Sequence, residues 1–177
     1  MDEIEAGFSK LITKIEELSK ETEKITGTIA EHDADLLVRM AEMSKSVIKI
    51  IGLNMLMKGK QDGKGELFDT SFYQQKMIVL GKTDPMKYRP DDVTKKIDDQ
   101  FCILSEDGKF YELMYSSNGV SVDSFLQPLR GREVIDIYGY EAMFMLYRAM
   151  HDYEKNQEEL LKALETTLNF IFTPNPA

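Results

Sequence analysis

Two series of apolar residues spaced alternately three and four apart, one near each end of the chain, constrain its fold more than anything else in the sequence. Ile4, Phe8, Leu11, Ile15, Leu18, Thr22 and Ile25 make the first series; Met143, Leu146, Met150, Tyr153, Gln157, Leu160, Leu164, Thr167 and Ile171 make the second. Such spacing keeps one stripe of a helix facing a partner helix, as in a coiled coil. Between them lies a stretch rich in β signals. The expected fold is therefore α+β: long amphipathic N-terminal helices and a long C-terminal helix, packed in a bundle around or beside a small antiparallel hairpin or meander sheet. With 177 residues, 42% hydrophobic and 30% charged, the chain has the size and composition of one globular domain.

The first helix is expected over residues 2 to 25, with Asp2, Glu3 and Glu5 complementing the helix dipole in its first turn. Thr26-Gly27-Thr28 is expected to break it, because glycine costs about 1 kcal/mol in a helix interior and Thr28 with Glu31 has the spacing of a capping box. One continuous helix is the alternative, since Ile29, His32, Leu36, Arg39 and Met43 prolong the first register. A second helix to Lys58 would complete a helical hairpin or arm over residues 1–58. It becomes apolar on nearly all sides from Val47 onward, which predicts a central, surrounded position.

Residues 59–66, dominated by glycine and lysine, read as a flexible loop. They miss the phosphate-loop pattern by one residue of spacing and carry Gly65 where that pattern needs a hydroxyl. The β-rich middle spans 67–138. Residues 69–81 favour a strand over a helix, and Pro90-Asp91-Asp92-Val93 resembles a short helix start. Phe101–Leu104 and Phe110–Tyr115 flank Asp107-Gly108 as a hairpin, Val120 and Val122 begin a third strand, and Val134–Tyr138 reads as a fourth. The C-terminal helix occupies 139–173 and stops at Pro174 and Pro176.

Few residues suggest chemistry. His32 with Asp35, and His151 with Glu154, are three apart on helix faces and would converge on a metal only if their helices paired at that level. The di-iron pattern Glu-x-x-His does not occur, so solvated faces are the simpler reading. Arg130 and Arg132 around Gly131 form a candidate anion grip, against the simpler reading of pairing with Glu133 and Asp136. Phe110, Tyr115, Tyr138 and Tyr147 are the candidate lining of a ligand pocket between sheet and helices. Ser116, Ser117, Ser121 and Ser124 lie in no nucleophile elbow, and Cys102, within an apolar strand, reads as inert core. No catalytic residue and no cofactor is expected.

The net charge of −9 is spread along the chain without a basic segment, which argues against nucleic-acid partners. The apolar run Val47–Met57 is too short to span a bilayer, so no membrane partner is expected. An acidic N-terminus without an apolar leader-like run, and a single cysteine, favour a cytoplasmic, reducing compartment. Eleven methionines, many on the helices, suit adaptable packing or a protein-binding surface. The apolar stripes exceed what one small sheet can cover. The leading expectation is thus an interaction protein, a scaffold or adaptor, that self-associates through its helices as a homodimer. The alternatives are a small-molecule sensor with its pocket between sheet and helices and, less favoured, a metal-dependent helical enzyme.

Overall fold

A single α-helix, α1, runs unbroken from Glu3 to Ile51 in the computed structural model, which describes residues 2–172. The expected break at Gly27 does not occur. Thr28 does not cap a new helix; its hydroxyl donates back to the carbonyl of Lys24 at 3.0 Å, a bond compatible with continued helix. The Gly27 carbonyl in turn accepts a hydrogen bond from Arg132 at 3.2 Å. Keeping the backbone ladder intact outweighs the roughly 1 kcal/mol propensity cost of one glycine.

The helix ends at Gly52, earlier than the sequence pattern suggests, and β1 (Leu53–Gln61) starts at once. A Cβ at residue 52 would stand 2.5 Å from the Ile48 carbonyl oxygen and 2.9 Å from the Lys76 Cβ, so the abrupt change from helix to strand needs glycine there. The apolar run after Val47 is therefore two elements, a last helical turn and a strand. Its β state is fixed by distant partners: the Asn54 amide donates to the carbonyls of Tyr73 and Gln74, both at 2.9 Å, across an irregular ladder.

Four more strands follow: β2 (Leu67–Thr83), β3 (Asp99–Ser105), β4 (Phe110–Ser117) and β5 (Ser121–Leu129). Each pairs antiparallel with the next, and β1 also pairs with β5 through Lys58–Asp123, Gly59–Val122 and Lys60–Ser121. The sheet is therefore a closed five-stranded barrel, where an open hairpin or meander was expected. Ser124 ties the closing seam, its hydroxyl lying 3.0 Å from the Leu56 carbonyl, 2.9 Å from that of Met57 and 3.0 Å from the Tyr73 hydroxyl. Closure removes the free strand edges that invite aggregation.

The expected strand at 69–81 and the hairpin around Asp107-Gly108 are present, the latter with Gly108 at φ +76°. Residues 59–66 differ from a long flexible loop: β1 continues to Gln61, and Asp62 closes a compact turn by accepting from the amides of Lys64 and Glu66, both at 2.8 Å. Pro90–Val93 is not a helix start. It lies in a turn where Asp92 accepts from the amide and hydroxyl of Thr94, which uses up the acidic side chain locally.

Val134–Tyr138 is helical rather than a fourth strand, within α2 (Gly131–Tyr138). Glu133 satisfies the Arg130 amide at 2.7 Å, and only Val134 and Ile135 are deeply buried, a helical rather than an alternating pattern. The long α3 (Glu141–Phe172) follows as expected; Pro174 and Pro176 lie outside the described residues.

Two cores result. Met55, Tyr73, Met77, Phe101, Ile103, Tyr111, Leu113, Tyr115 and Leu126 pack together as the barrel filling, in keeping with a barrel too narrow for an open lumen. The alternate residues Cys102, Leu104 and Phe110 form the second core with Ala34, Leu37, Ala41 and Ile48 of α1, Val134 and Ile135 of α2, and Ala142, Met143 and Leu146 of α3. Gly27→Ala should raise the melting temperature, adding up to about 1 kcal/mol of helix stability, since nothing lies within 4 Å of the added methyl. Gly52→Ala should instead destabilise the whole domain by about 2 kcal/mol or more in urea titrations.

Candidate functional site

Written in heptads abcdefg with Phe8 at a, α1 carries two apolar stripes on nearly opposite sides. The residues buried against the barrel and the other helices, Ala34, Leu37, Ala41, Ser44 and Ile48, occupy b and f. The a and d positions face away from that body. Ile4 is 78% exposed, Phe8 63% and Met43 73%, and Leu11, Ile15, Leu18, Ile25 and Ile29 are each half exposed or more. At 1.5 Å per residue α1 is about 74 Å long, and its first 26 or so residues carry this stripe with no packing partner among the described residues. The C-terminal half of α3 repeats the situation with Leu160, Leu161, Leu164, Leu168 and Ile171, all at least half exposed.

The other candidates resolve differently. Arg130 pairs with Glu133 at 2.9 Å, and Arg132 with Asp136 at 2.9 Å and with the Gly27 carbonyl. The two guanidinium groups thus serve α2 and its dock onto α1, and the structure does not join them in an anion grip. His32, Asp35, His151 and Glu154 do not converge: His32, His151 and Glu154 are exposed, and His151 stacks on Tyr147 with ring centroids 6.2 Å apart. No group of three or more His, Cys, Asp or Glu side chains suited to a metal ion occurs among the described residues.

The four aromatic candidates do not share a pocket. Phe110 belongs to the helix-facing core and Tyr115 to the barrel filling, where burial pushes its hydroxyl up to about 12. Tyr138 lies 3.4 Å from the buried Glu112 as its hydrogen-bond donor, and burial raises its pKa also. Tyr147 alone lines an apolar groove, of about 250 Å³, with Leu36, Met40, Tyr140, Met143 and Phe144. That groove lies between α1 and α3, away from the barrel filling. Cys102 is fully buried, and burial, with Glu112 nearby, pushes its thiol up to about 12.

Sequence reasoning missed one polar cluster. Arg89, 5% exposed, makes a two-bond contact with Asp91 at 2.9 and 2.6 Å. Its second terminal nitrogen lies 3.0 Å from Asp123 of β5, an ion pair at an angle that falls short of a hydrogen bond. Lys95 also pairs with Asp123, and the Arg89 guanidinium stacks over Phe125 at 5.6 Å. These contacts pin the 84–98 loop to the barrel wall. Beside them Thr94, Lys95, Lys96, Ser116, Ser117, Asn118, Ser121 and Asp123 line a polar cavity of about 250 Å³. The only sequence signal was an arginine two residues before an aspartate; the partner on β5, 34 positions away, carries no local mark.

No helix among the described residues is long and apolar enough to cross a membrane. No family model, no curated protein and no solved structure matches the chain.

The hydrogen bond from Arg89 holds the Asp91 carboxyl below the usual carboxylate range. A carboxyl depressed on folding stabilises the fold above its unfolded pKa, near 3.9, and that stabilisation disappears as pH falls through the folded value. Arg89→Met should cost about 2–3 kcal/mol at neutral pH by leaving Asp91 and Asp123 without it, and the gap from wild type should narrow below about pH 4 in denaturant titrations. The Cys102 thiol should resist iodoacetamide in the folded protein and react only on unfolding.

Proposed function

We propose that the protein is a self-associating interaction module, a scaffold or adaptor, in which α1 and α3 pair with those of a second copy and the barrel is carried as a rigid head. One observation supports this reading above others: the a and d stripe of α1 faces away from the body along the helix, with Phe8 63% and Met43 73% exposed. Fully burying one such side chain is worth about 1.5–3 kcal/mol. Leaving the whole stripe in water forfeits an amount comparable to the net stability of a typical domain. A twofold-symmetric helical bundle removes that cost in one step. The barrel supports the same reading, because its interior is filled with side chains and its outer face at β2, β3 and the start of β4 is spent on holding the helices. A buried, unreactive thiol is compatible with the reducing cytoplasm, where we place the protein.

A ligand-binding module is the second reading, favoured by the apolar groove of Leu36, Met40, Tyr140, Met143, Phe144 and Tyr147. It would show as a compound that copurifies with the protein or raises its melting temperature.

Sedimentation velocity with light scattering tests the leading reading. The wild-type chain should be dimeric at micromolar concentration. Leu11→Glu with Leu18→Glu should make it monomeric, weakening association at least 100-fold, while the barrel unfolds at an unchanged temperature. A wild-type chain that stays monomeric at 100 µM rejects the reading.

A further inference from the structure

We propose that two copies of this chain pair antiparallel through residues 4–29 of α1, in one register that Lys14 and Glu21 select; the inference rests on the self-association reading above. In that stretch Phe8, Ile15, Thr22 and Ile29 take a, and Ile4, Leu11, Leu18 and Ile25 take d. The outward positions b, c and f are mostly charged, polar or glycine, as a two-helix seam requires.

In an antiparallel pair each a residue meets a d residue of the other helix, and g residues flank the seam in pairs. Setting Ile15 against the partner's Leu18 also sets Ile4 against the partner's Ile29, Phe8 against the partner's Ile25 and Leu11 against the partner's Thr22. All eight a and d residues from 4 to 29 then find a layer, and the twofold axis repeats each one. The same register places Lys14 beside the partner's Glu21, and Glu21 beside the partner's Lys14. Flanking charges of this kind set partner orientation in helical seams.

Every neighbouring register is worse. One heptad less of overlap puts Lys14 against the partner's Lys14 and leaves Ile29 uncovered. One heptad more puts Glu21 against the partner's Glu21 and Phe8 against the partner's His32. Two heptads more bury Arg39 against the partner's Phe8 and His32 against the partner's Ile15. A parallel pair sets Lys14 beside the partner's Ser19 and Glu21 beside the partner's Thr26, so no unlike charges select it. His32 and Arg39, both at d, therefore act as the stop that confines the seam to residues 4–29.

The body of the protein agrees with this overlap. Ala30 is where α1 begins to pack on the core, so each N-terminus would end level with the start of the partner's body. The buried residues of α1 lie at b and f, on the side away from the seam, and Leu36 and Met40, which line the groove against α3, come after residue 29, so neither obstructs a second helix along residues 4–29.

Charge reversal provides the test. In a dimer of Lys14→Glu chains, carboxylates meet carboxylates at both flanking pairs; in a dimer of Glu21→Lys chains, ammonium groups meet ammonium groups. Each variant should raise the dimer dissociation constant about tenfold in sedimentation equilibrium at low salt. Mixing the two variants should restore wild-type affinity as a heterodimer. The carboxylate introduced at position 14 of one chain then meets the ammonium group introduced at position 21 of the other, and the remaining pair is the native Glu21 with Lys14. Both side chains are on the exposed arm, so the barrel should unfold at the same temperature in either variant. Dimers of unchanged affinity in both single variants, or weakening without rescue on mixing, would overturn the register while leaving self-association intact. A monomeric wild type would overturn both.

Discussion

The packing of three helices on the outer face of β2, β3 and the start of β4 is the interaction on which the rest of the structure depends. Of these strands, β3 and β4 are buried on both faces: Ile103 and Leu113 fill the barrel, while Cys102, Leu104 and Phe110 meet α1, α2 and α3. A small closed barrel has little interior to bury. Its second core, outside the wall, supplies the apolar burial that the lumen cannot. The same packing fixes the rotation of α1 about its axis. Once Ala34, Leu37, Ala41 and Ile48 face the barrel, the a and d positions must face solvent.

That geometry makes the exposed stripe a property of the architecture. Residues on the a/d line are no less apolar than those on the b/f line, yet only the latter become buried within the chain. The small residues Ala34 and Ala41 on the docked side let α1 approach α2 at Gly131 and the β3–β4 turn at Gly108 closely, whereas Phe8, Leu11, Ile15 and Leu18 on the free side are large. The two sides differ in side-chain size.

Polar chemistry in this molecule serves structure. Arg89 fastens the 84–98 loop to β5, Arg132 fastens α2 to α1, Ser124 seals the barrel and Asp62 closes the first hairpin. The neighbours that hold these groups lie from two residues to more than a hundred away in sequence. Against that background the apolar stripe of α1 stands out as a large apolar surface left exposed among the described residues.

Local pattern in the sequence determined the amphipathic register of α1, the presence of a long α3, the hairpin at Asp107-Gly108 and the inert setting of Cys102, and favoured a strand over 69–81, because periodicity, turn chemistry and burial preference act within a few residues. Tertiary contacts decided the rest. Whether Leu53–Gln61 is helix or strand depends on β2 and β5, and whether Val134–Tyr138 is strand or helix depends on the face offered by α1; at Gly27, the carbonyl of the continuing helix receives Arg132 from over a hundred residues away. Barrel closure and the pairing of Arg89 with Asp123 are equally nonlocal. A periodic stripe states that a helix has a face to hide; only the folded body shows which of two faces it already hides, because that choice is made by shape and distance between segments the sequence keeps apart.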